Sequence, residues 1–292
     1  MNMKLKEKHI VITGATSGIG KASALALAKS GARITIVARN QQKVESTLAE
    51  IKEVSSRDDH RFVLADFGSL ASVRSAGEEI LNWGDNIDVL LNNAGIASSV
   101  YRETQDGYEE LFAVNHLAPF LLTGILLPLL RNDGGRIVNV AAMAYGIVKG
   151  MNFDDLPKSQ NFEPNNAYAY SKLANVLFTK ELAKRLKSTG ITCNTLHPGA
   201  VATTLGSKDT GWLLRIMSTL IKYLPFLFKT PEQGAKTSIY LSESDEVANL
   251  TGKYFVDCKQ VKLKPVGEDM EAAKRLWTLS EEMTGFTYPE LS

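Results

Sequence analysis

Short runs rich in β-branched residues alternate with helix-like stretches along most of the chain, and no other feature restricts the fold as much. Seven runs predict strands: His9–Thr13, Arg33–Ala38, Arg61–Ala65, Ile87–Leu91, Arg136–Val140, Ile191–Leu196 and Lys253–Val256. Six stretches between them have helical periodicity: Ile19–Lys29, Gln41–Val54, Leu70–Asn82, Gly107–Leu130, Asn166–Lys187 and Pro231–Ser242. Several strands are apolar throughout, as expected where helices cover both faces of a sheet. The sequence therefore predicts an α/β fold with a doubly wound, seven-stranded parallel sheet flanked by helices.

Two segments interrupt this alternation. Residues 145–164 are polar and irregular, whereas Gly206–Lys229 carries many apolar side chains among only a few cations. Exposed to water, the second segment would favour association, so we expect it to fold over an apolar substrate pocket. No Pro/Gly/Ser-rich linker divides the chain. We therefore expect a single domain over residues 1–292, with a helical extension at about 268–292.

The charge balance argues against a nucleic-acid partner. The chain has 33 basic and 32 acidic residues and a net charge of +1, which provides no concentrated positive field for phosphates. Two cysteines, Cys193 and Cys258, and four histidines lack the spacing of a disulfide framework or a metal site. We expect neither a disulfide nor a bound metal.

The hydropathy pattern also predicts where the protein resides. The polar N-terminal residues lead directly into the first strand, which leaves no room for a signal peptide. The longest apolar run, Leu117 to Leu130, has 14 residues and two prolines, fewer than the roughly 20 that cross a bilayer. A cytoplasmic protein without a transmembrane segment is expected.

A glycine-rich turn follows the first predicted strand and begins the first predicted helix. It reads Thr13-Gly14-Ala15-Thr16-Ser17-Gly18-Ile19-Gly20. Glycines let the backbone turn tightly and approach a pyrophosphate, and the N-terminus of the helix supplies unpaired N–H groups and a favourable dipole. The position of this turn between strand and helix favours dinucleotide binding over a purely structural turn.

Further motifs follow in a fixed order along the chain. They are Asp66, Asn92-Asn93-Ala94-Gly95, Asn115, Tyr168-Ala169-Tyr170-Ser171-Lys172 and Pro198-Gly199-Ala200-Val201-Ala202-Thr203. Together with the spacing of the glycine-rich turn, they resemble the short-chain dehydrogenase/reductase family, with Tyr170 to Asn175 most similar to its retinol dehydrogenase and protochlorophyllide reductase-like branch. The resemblance implies a Rossmann-type fold and an NAD(P)(H) cofactor. The residues that it implies for cofactor binding are Gly14, Thr16, Ser17, Gly18, Ile19, Gly20, Arg39, Asn40, Asp66, Phe67, Asn93, Ala94, Gly95, Tyr168, Lys172, Pro198, Gly199, Val201 and Thr203.

Tyr168 and Lys172 are the predicted catalytic pair. Reduction of a carbonyl needs a proton donor, and a phenol near pKa 10 is a poor one near neutrality unless its anion is stabilised. Lys172 lies four residues after Tyr168 on a predicted helix, so its ammonium reaches the same face, whereas Tyr170 points elsewhere. The resemblance implies that Asn115 supports a water-linked proton relay to this lysine.

One position departs from the family pattern. In Asn139-Val140-Ala141-Ala142-Met143, two alanines stand where the family usually has two serines, the second of which orients the substrate carbonyl. A lost donor of this type costs roughly 3 kcal/mol of transition-state stabilisation. Water, Tyr145 or Ser171 could replace the hydroxyl, the substrate could be something other than a simple carbonyl, the protein could be catalytically weak, or the alanine could be an engineered substitution.

The leading hypothesis is an oxidoreductase that uses NADP(H) and acts on a lipophilic carbonyl, alcohol or activated double bond. NADP(H) is favoured because Ala38-Arg39-Asn40 offers Arg39 where an acidic residue would select NAD(H). The expected substrate contacts are Ala142, Met143, Tyr145, Leu213 and Phe226. The rival hypotheses are a catalytically weak or inactive NADP(H)-binding sensor or scaffold and a protein that contacts membrane surfaces through residues 211–228. A homo-oligomer is left open.

Overall fold

The computed structural model describes residues 5–154, 162–201 and 228–290. Eight strands form one sheet: β1 His9–Thr13, β2 Arg33–Ala38, β3 Arg61–Leu64, β4 Val89–Asn92, β5 Arg136–Val140, β6 Thr192–His197, β7 Tyr254–Val256 and β8 Lys259–Val261. Their order is β3-β2-β1-β4-β5-β6-β7-β8. The first seven are parallel, whereas β8 pairs antiparallel with β7. The doubly wound parallel architecture is confirmed, and the predicted count of seven strands is one too few because β8 forms a hairpin with β7.

Helices connect the strands on both faces of the sheet. They are α1 Gly18–Lys29, α2 Gln41–Val54, α3 Leu70–Trp83, α4 Glu110–Phe112, α5 Ala118–Leu126, α6 Pro164–Arg185, α7 Pro231–Glu243 and α8 Met270–Thr284. Side chains along the central strands alternate between the two faces of the sheet. Ile10 and Ile12 of β1 pack in the same cluster as Leu27 of α1, whereas Val11 packs with Phe120 and Phe178 on the other face.

The predicted single helix over Gly107–Leu130 is wrong in detail. A π-helical turn, Ala113–Leu117, joins α4 to α5, and a 3-10 turn, Leu127–Leu129, follows α5. The proline at 119 has no N–H, so it cannot close the ordinary hydrogen bond to the carbonyl of Asn115 four residues earlier. The change of helix type thus falls where the regular ladder is broken.

The stretch Glu110–Leu129 meets the length and hydropathy of a membrane span, yet 94% of its most apolar window is buried inside the protein. It is packed as a core helix. Its outer surface is covered by the C-terminal segment, where the Tyr288 hydroxyl donates to the carbonyl of Phe120 over 2.7 Å. Trp277 of α8 is also buried, with its ring 5.2 Å from that of Phe120. Such burial is reason enough for the apolar sequence of this stretch.

The loop after β6 pairs with the residues directly before α7. Val201 forms a parallel bridge with Lys229, and the Lys229 N–H donates to the carbonyl of Ala200 over 2.8 Å. Thr230 then caps α7 through a reciprocal pair of hydrogen bonds with Gln233. Most of the predicted pocket-covering segment Gly206–Lys229 lies outside the described residues, which include only its last two positions.

Candidate active site

The glycine-rich turn lies at the carboxyl end of β1, beside the carboxyl end of β4. Gly14 and Gly18 have left-handed φ values of 68° and 54°. A Cβ on Gly14 would lie 2.8 Å from Cα of Ala94, and one on Gly20 would lie 2.5 Å from the carbonyl oxygen of Gly14. Both positions therefore require glycine for close packing of backbone on backbone.

Thr13 and Asn93 join this turn to the loop after β4. The Thr13 hydroxyl accepts the backbone N–H groups of Asn93 and Ala94 at 3.0 and 2.9 Å. The Asn93 amide donates back to the carbonyls of Thr13 and Gly14 at 3.0 and 3.3 Å. Sequence reasoning named Asn93, Ala94 and Gly95 as cofactor-binding residues and quoted Thr13 in the glycine-rich turn, but it gave Thr13 no role of its own.

The N-terminus of α1 is suited to an anion. Its N-cap residue, Ser17, makes no side-chain capping bond, and the first turn carries no acidic residue. In contrast, the N-cap side chains of α2, α3, α7 and α8 each accept a backbone N–H of the first turn; they are Asn40, Ser69, Thr230 and Asp269. Thr16, Ser17, Gly18 and Ile19 retain exposed surface around this N-terminus. The residues present thus fit a dinucleotide pyrophosphate, which the backbone N–H groups of this turn would hold.

The residues expected at the adenosine end lie after β2 and β3. Arg39 is exposed and makes no hydrogen bond or ion pair within the described residues, so its guanidinium is available to a ligand. The Asn40 side chain instead accepts the N–H of Lys43 at 2.9 Å as the cap of α2. Asp66 is exposed, and its carboxylate accepts the N–H of Gly68 at 3.0 Å. The Phe67 side chain is buried in the core, so only its backbone could face a cofactor.

Tyr168, Lys172 and Asn115 are brought together beside Gly95. A Cβ added to Gly95 would lie 3.1 Å from Oδ1 of Asn115 and 3.2 Å from Nζ of Lys172. The Lys172 Nζ lies 5.7 Å from the ring centroid of Tyr168 and donates to the carbonyl of Val140 at 3.4 Å. One turn of α6 and the ends of β4 and β5 therefore converge on one point, next to the glycine-rich turn.

The side chain of Asn115 is fully engaged within the protein. Its Oδ1 accepts the N–H of Ile96 at 2.8 Å, and its Nδ2 donates to the Ile96 carbonyl and to Oγ of Ser171, both at 3.0 Å. The Asn115 amide is therefore held inside the protein between the loop after β4 and α6.

Burial governs the titration of the pair. It raises the pKa of Tyr168 to about 12 and lowers the pKa of Lys172 to about 8. Both shifts favour the uncharged form of the group, since each side chain is largely removed from water. At neutral pH the phenol is thus protonated, whereas the amine lies close to its titration range.

The residues expected to contact the substrate differ in their exposure to solvent. Ala142 is half-buried and precedes a 3-10 turn, Met143–Gly146, in which Met143 is 67% exposed. Tyr145 is buried, and its hydroxyl accepts the N–H of Lys264 at 2.9 Å, so its predicted role as a substrate contact is not supported. The Ser171 hydroxyl donates to the carbonyl of Tyr168 at 2.8 Å. The Ser171 hydroxyl also accepts from the Asn115 amide, so both its donor and its acceptor are engaged within the protein. Burial, rather than a hydrogen bond, keeps the Tyr145 hydroxyl from replacing the missing serine.

The loop after β6 completes the edge of the site. Pro198 and Gly199 retain exposed surface, and Gly199 has a φ of 92°. A Cβ on Gly234 of α7 would touch side-chain carbons of both Val201 and Ile19, which places this loop against the start of α1. The predicted residues Thr203, Leu213 and Phe226 lie outside the described residues. In the parts of the chain that the structure describes, no cluster of histidine, cysteine or carboxylate side chains is arranged to hold a metal ion.

Comparison with known proteins gives a consistent result. The sequence profile of the short chain dehydrogenases matches residues 8–213. Human retinol dehydrogenase 14 is 41% identical over 95% of this chain and 86% of its own length, and human retinol dehydrogenase 13 is 38% identical over 97% and 86%. A crystal structure of an uncharacterized protein from Mycobacterium Paratuberculosis superimposes with a TM-score of 0.77 at 30% identity, covering 98% of this chain and 96% of that one. A dehydrogenase/reductase from Sinorhizobium meliloti 1021 gives 0.68 at 26% identity, over 87% and 94%.

Proposed function

The chain belongs to the short chain dehydrogenase family, in its retinol dehydrogenase-like branch, and we propose that it is an NADP(H)-dependent oxidoreductase of lipophilic carbonyls, alcohols or activated double bonds. The observation that carries the proposal is the meeting of Tyr168, Lys172 and Asn115 beside Gly95. Such a constellation next to a pyrophosphate cradle has the parts that hydride transfer requires.

Within this proposal the protein supplies proton transfer and orientation. The bound nicotinamide cofactor would supply or accept the hydride. Tyr168, protonated at neutral pH because burial raises its pKa to about 12, donates its phenolic proton to the substrate oxygen as negative charge develops there. The ammonium of Lys172, 5.7 Å from the ring centroid, stabilises the phenolate that remains. In the oxidative direction the same proton returns to Tyr168.

The preference for NADP(H) is supported by Arg39. It lies at the end of β2, exposed and without an ion pair among the described residues, and no acidic side chain replaces it there. A guanidinium can bind a 2′-phosphate in bidentate fashion and stack on adenine. We expect Arg39→Ala to weaken NADPH binding by roughly tenfold to a hundredfold while leaving NADH binding nearly unchanged. Calorimetric titration of both cofactors measures this, and equal affinities in the unmutated protein would argue against the preference.

A lipophilic substrate is supported by two observations. The turn after Ala142 presents Met143 and Ile147 to solvent at 67% and 63% exposure, which is high for apolar side chains. The relatives named retinol dehydrogenase carry a lipophilic alcohol in their names. Both observations favour a substrate whose hydrocarbon part would cover these side chains.

Oxidation of NADPH against a panel of lipophilic aldehydes, ketones and enones tests the proposal. We expect turnover on at least one member and a loss of at least roughly a hundredfold in Tyr168→Phe. Tyr170→Phe is the matched control, because this second tyrosine lies two residues along the same helix and should be dispensable. Tight NADPH binding without turnover on any compound would instead favour the alternative of an inactive cofactor-binding protein.

A further inference from the structure

His197 ends β6 and its ring bonds the loop that follows. The backbone N–H of Gly199 donates to Nδ1 of His197 over 3.1 Å. A backbone amide can only donate, so Nδ1 is the acceptor and carries no proton. The hydrogen bond therefore requires a neutral imidazole with its proton on Nε2, and protonation of Nδ1 would break it.

The same loop is enclosed from its other side by Lys229. A Cβ on Gly199 would lie 2.8 Å from Cδ and Nζ of Lys229, and the left-handed φ of 92° is itself accessible mainly to glycine. The Lys229 ammonium is paired with Asp257 in the turn between β7 and β8. The backbone of Gly199 is thus held between the imidazole and the lysine side chain.

The surroundings of His197 favour its neutral form. Burial, followed by the positive charge of Lys229, lowers the pKa of His197, whereas Asp257 raises it. Lys236 of α7 acts on the same carboxylate of Asp257. Protonation of His197 would remove the acceptor from Gly199 and place a second positive charge beside Lys229.

We infer that His197 is a positioning residue for the dinucleotide, which fixes the Pro198–Gly199 loop in its binding conformation when neutral and releases it when protonated. The inference rests on the proposed function, because it takes this loop to contact the cofactor. Direct contact between His197 and the cofactor is not required. The imidazole acts through the conformation of Gly199.

The chain allows a matched pair of variants. In His197→Asn, the side-chain oxygen can accept the N–H two residues ahead as in an Asx turn, and it does not titrate. In His197→Leu, the acceptor is lost at a similar volume. We expect His197→Asn to bind NADPH as the unmutated protein does at pH 8, and His197→Leu to bind roughly tenfold more weakly.

The pH dependence distinguishes positioning from mere packing. NADPH has its own titrating phosphate, so the readout is the ratio of the affinities of the unmutated protein and His197→Asn, measured by calorimetry at pH 8 and pH 5.5. This ratio should fall at the lower pH. Melting curves without cofactor establish that each variant is folded, and the Asn variant provides the test if the Leu variant is not.

The outcomes separate the two proposals. Normal binding by His197→Leu, or a ratio that stays constant with pH, overturns the role of His197 alone. Failure of the unmutated protein to bind NADPH or NADH at either pH overturns the proposed function, and the inference falls with it. Weak binding by both variants at pH 8, each fully folded, would also contradict the inference, because the acceptor should rescue it.

Discussion

Tyr168 and Lys172 are single residues whose surroundings set the chemistry of the site. Burial shifts the pKa of each group toward its uncharged form. Because a phenolate and an ammonium carry opposite charges, each charge stabilises the other in this buried site. Lys172 therefore stabilises the phenolate only while its amine is protonated, and this sets an upper pH limit for the site.

The pH dependence of reduction should follow Lys172. Burial lowers its pKa to about 8, so the ammonium is present below this pH and is lost as the pH rises through it. We expect kcat for carbonyl reduction to fall by about tenfold per pH unit well above pH 8. Steady-state kinetics at saturating NADPH measure this, with cofactor affinity followed separately. A kcat that stays constant to pH 9.5 would contradict the assignment.

Ala142 permits a test in which function is gained. It is half-buried directly before the 3-10 turn, where the nearby Ser171 hydroxyl is engaged within the protein and Tyr145 is buried. If the protein reduces ordinary carbonyls and the alanine slows this reaction by removing a hydrogen-bond donor, Ala142→Ser should raise kcat by up to roughly a hundredfold. NADPH affinity should hardly change, because we expect this position to contact the substrate rather than the dinucleotide.

A kcat that is unchanged or lower in Ala142→Ser would indicate a different reaction. If the site has been rebuilt for a different reaction, a new hydroxyl without a partner costs about 1–3 kcal/mol and turnover stays level or falls. Kinetics on one panel of ketones and aldehydes for both proteins decide between the two. If kcat rises on none of the compounds, the explanation that the alanine slows carbonyl reduction is excluded.

At the scale of secondary-structure elements, the glycine-rich turn depends on close contact between backbones. A Cβ at Gly20 would collide with the Asn93 amide and lie 2.5 Å from the Gly14 carbonyl oxygen, so Gly20→Ala must push β4 and α1 apart. We expect a loss of about 1–3 kcal/mol in the free energy of unfolding and at least roughly tenfold weaker NADPH binding. Urea denaturation and calorimetry measure the two effects.

Gly150→Ala is the control for the Gly20 variant. A Cβ at Gly150 would meet nothing within 4 Å, so alanine there should leave stability and cofactor binding unchanged. Equal effects of the two substitutions would show that the glycine-rich turn has no special packing requirement.

The elements that the sequence predicted well carry strong local signals. Helix α2 occupies the predicted Gln41–Val54, where an asparagine cap precedes an amphipathic stretch. Strand β8 was missed because its three residues are exposed and show no alternation, and because its turn places Asp257 and Cys258 at left-handed φ without glycine or asparagine. The π-helical turn was missed because Ala113–Leu117 and all of α5 are buried, so no polar face reveals a change of period.

The candidate site was predictable to a similar extent. The order of the motifs led us to expect Tyr168, Lys172, Asn115 and the glycine-rich turn in one site, and the structure brings them together at the carboxyl ends of the central strands. The direction of a side chain in an irregular turn depends on tertiary packing, which is why Tyr145 was expected at the substrate but lies in the core. The bond between His197 and Gly199 is likewise visible only once the loop is folded.

At the scale of the whole molecule, the C-terminal segment covers the core that contains Phe120 and Trp277. The Tyr288 ring lies 4.9 Å from that of Phe120 and 4.5 Å from that of Trp277. Its hydroxyl bonds the Phe120 carbonyl, and its N–H bonds the Glu281 carboxylate. The last residues described are therefore part of the globular structure and cover α5.

Two substitutions measure this contribution. Tyr288→Ala should lower the free energy of unfolding by about 3–5 kcal/mol because it opens a cavity next to three aromatic rings. Tyr288→Phe should cost about 1 kcal/mol, the value of one hydrogen bond. Thr287→Ala is the exposed neighbouring control. Urea denaturation would contradict this role of the C-terminal segment if Tyr288→Ala were as stable as the control.

The pairing of Val201 with Lys229 has a consequence for how a chain of this kind can diversify. These two residues are neighbours in space although 27 residues separate them along the chain, and Val201 follows β6 whereas Lys229 precedes α7. Relatives could therefore differ in the number and kind of residues between the two partners while the order of the strands stays the same. An engineer could exchange the residues between these two points for the same reason.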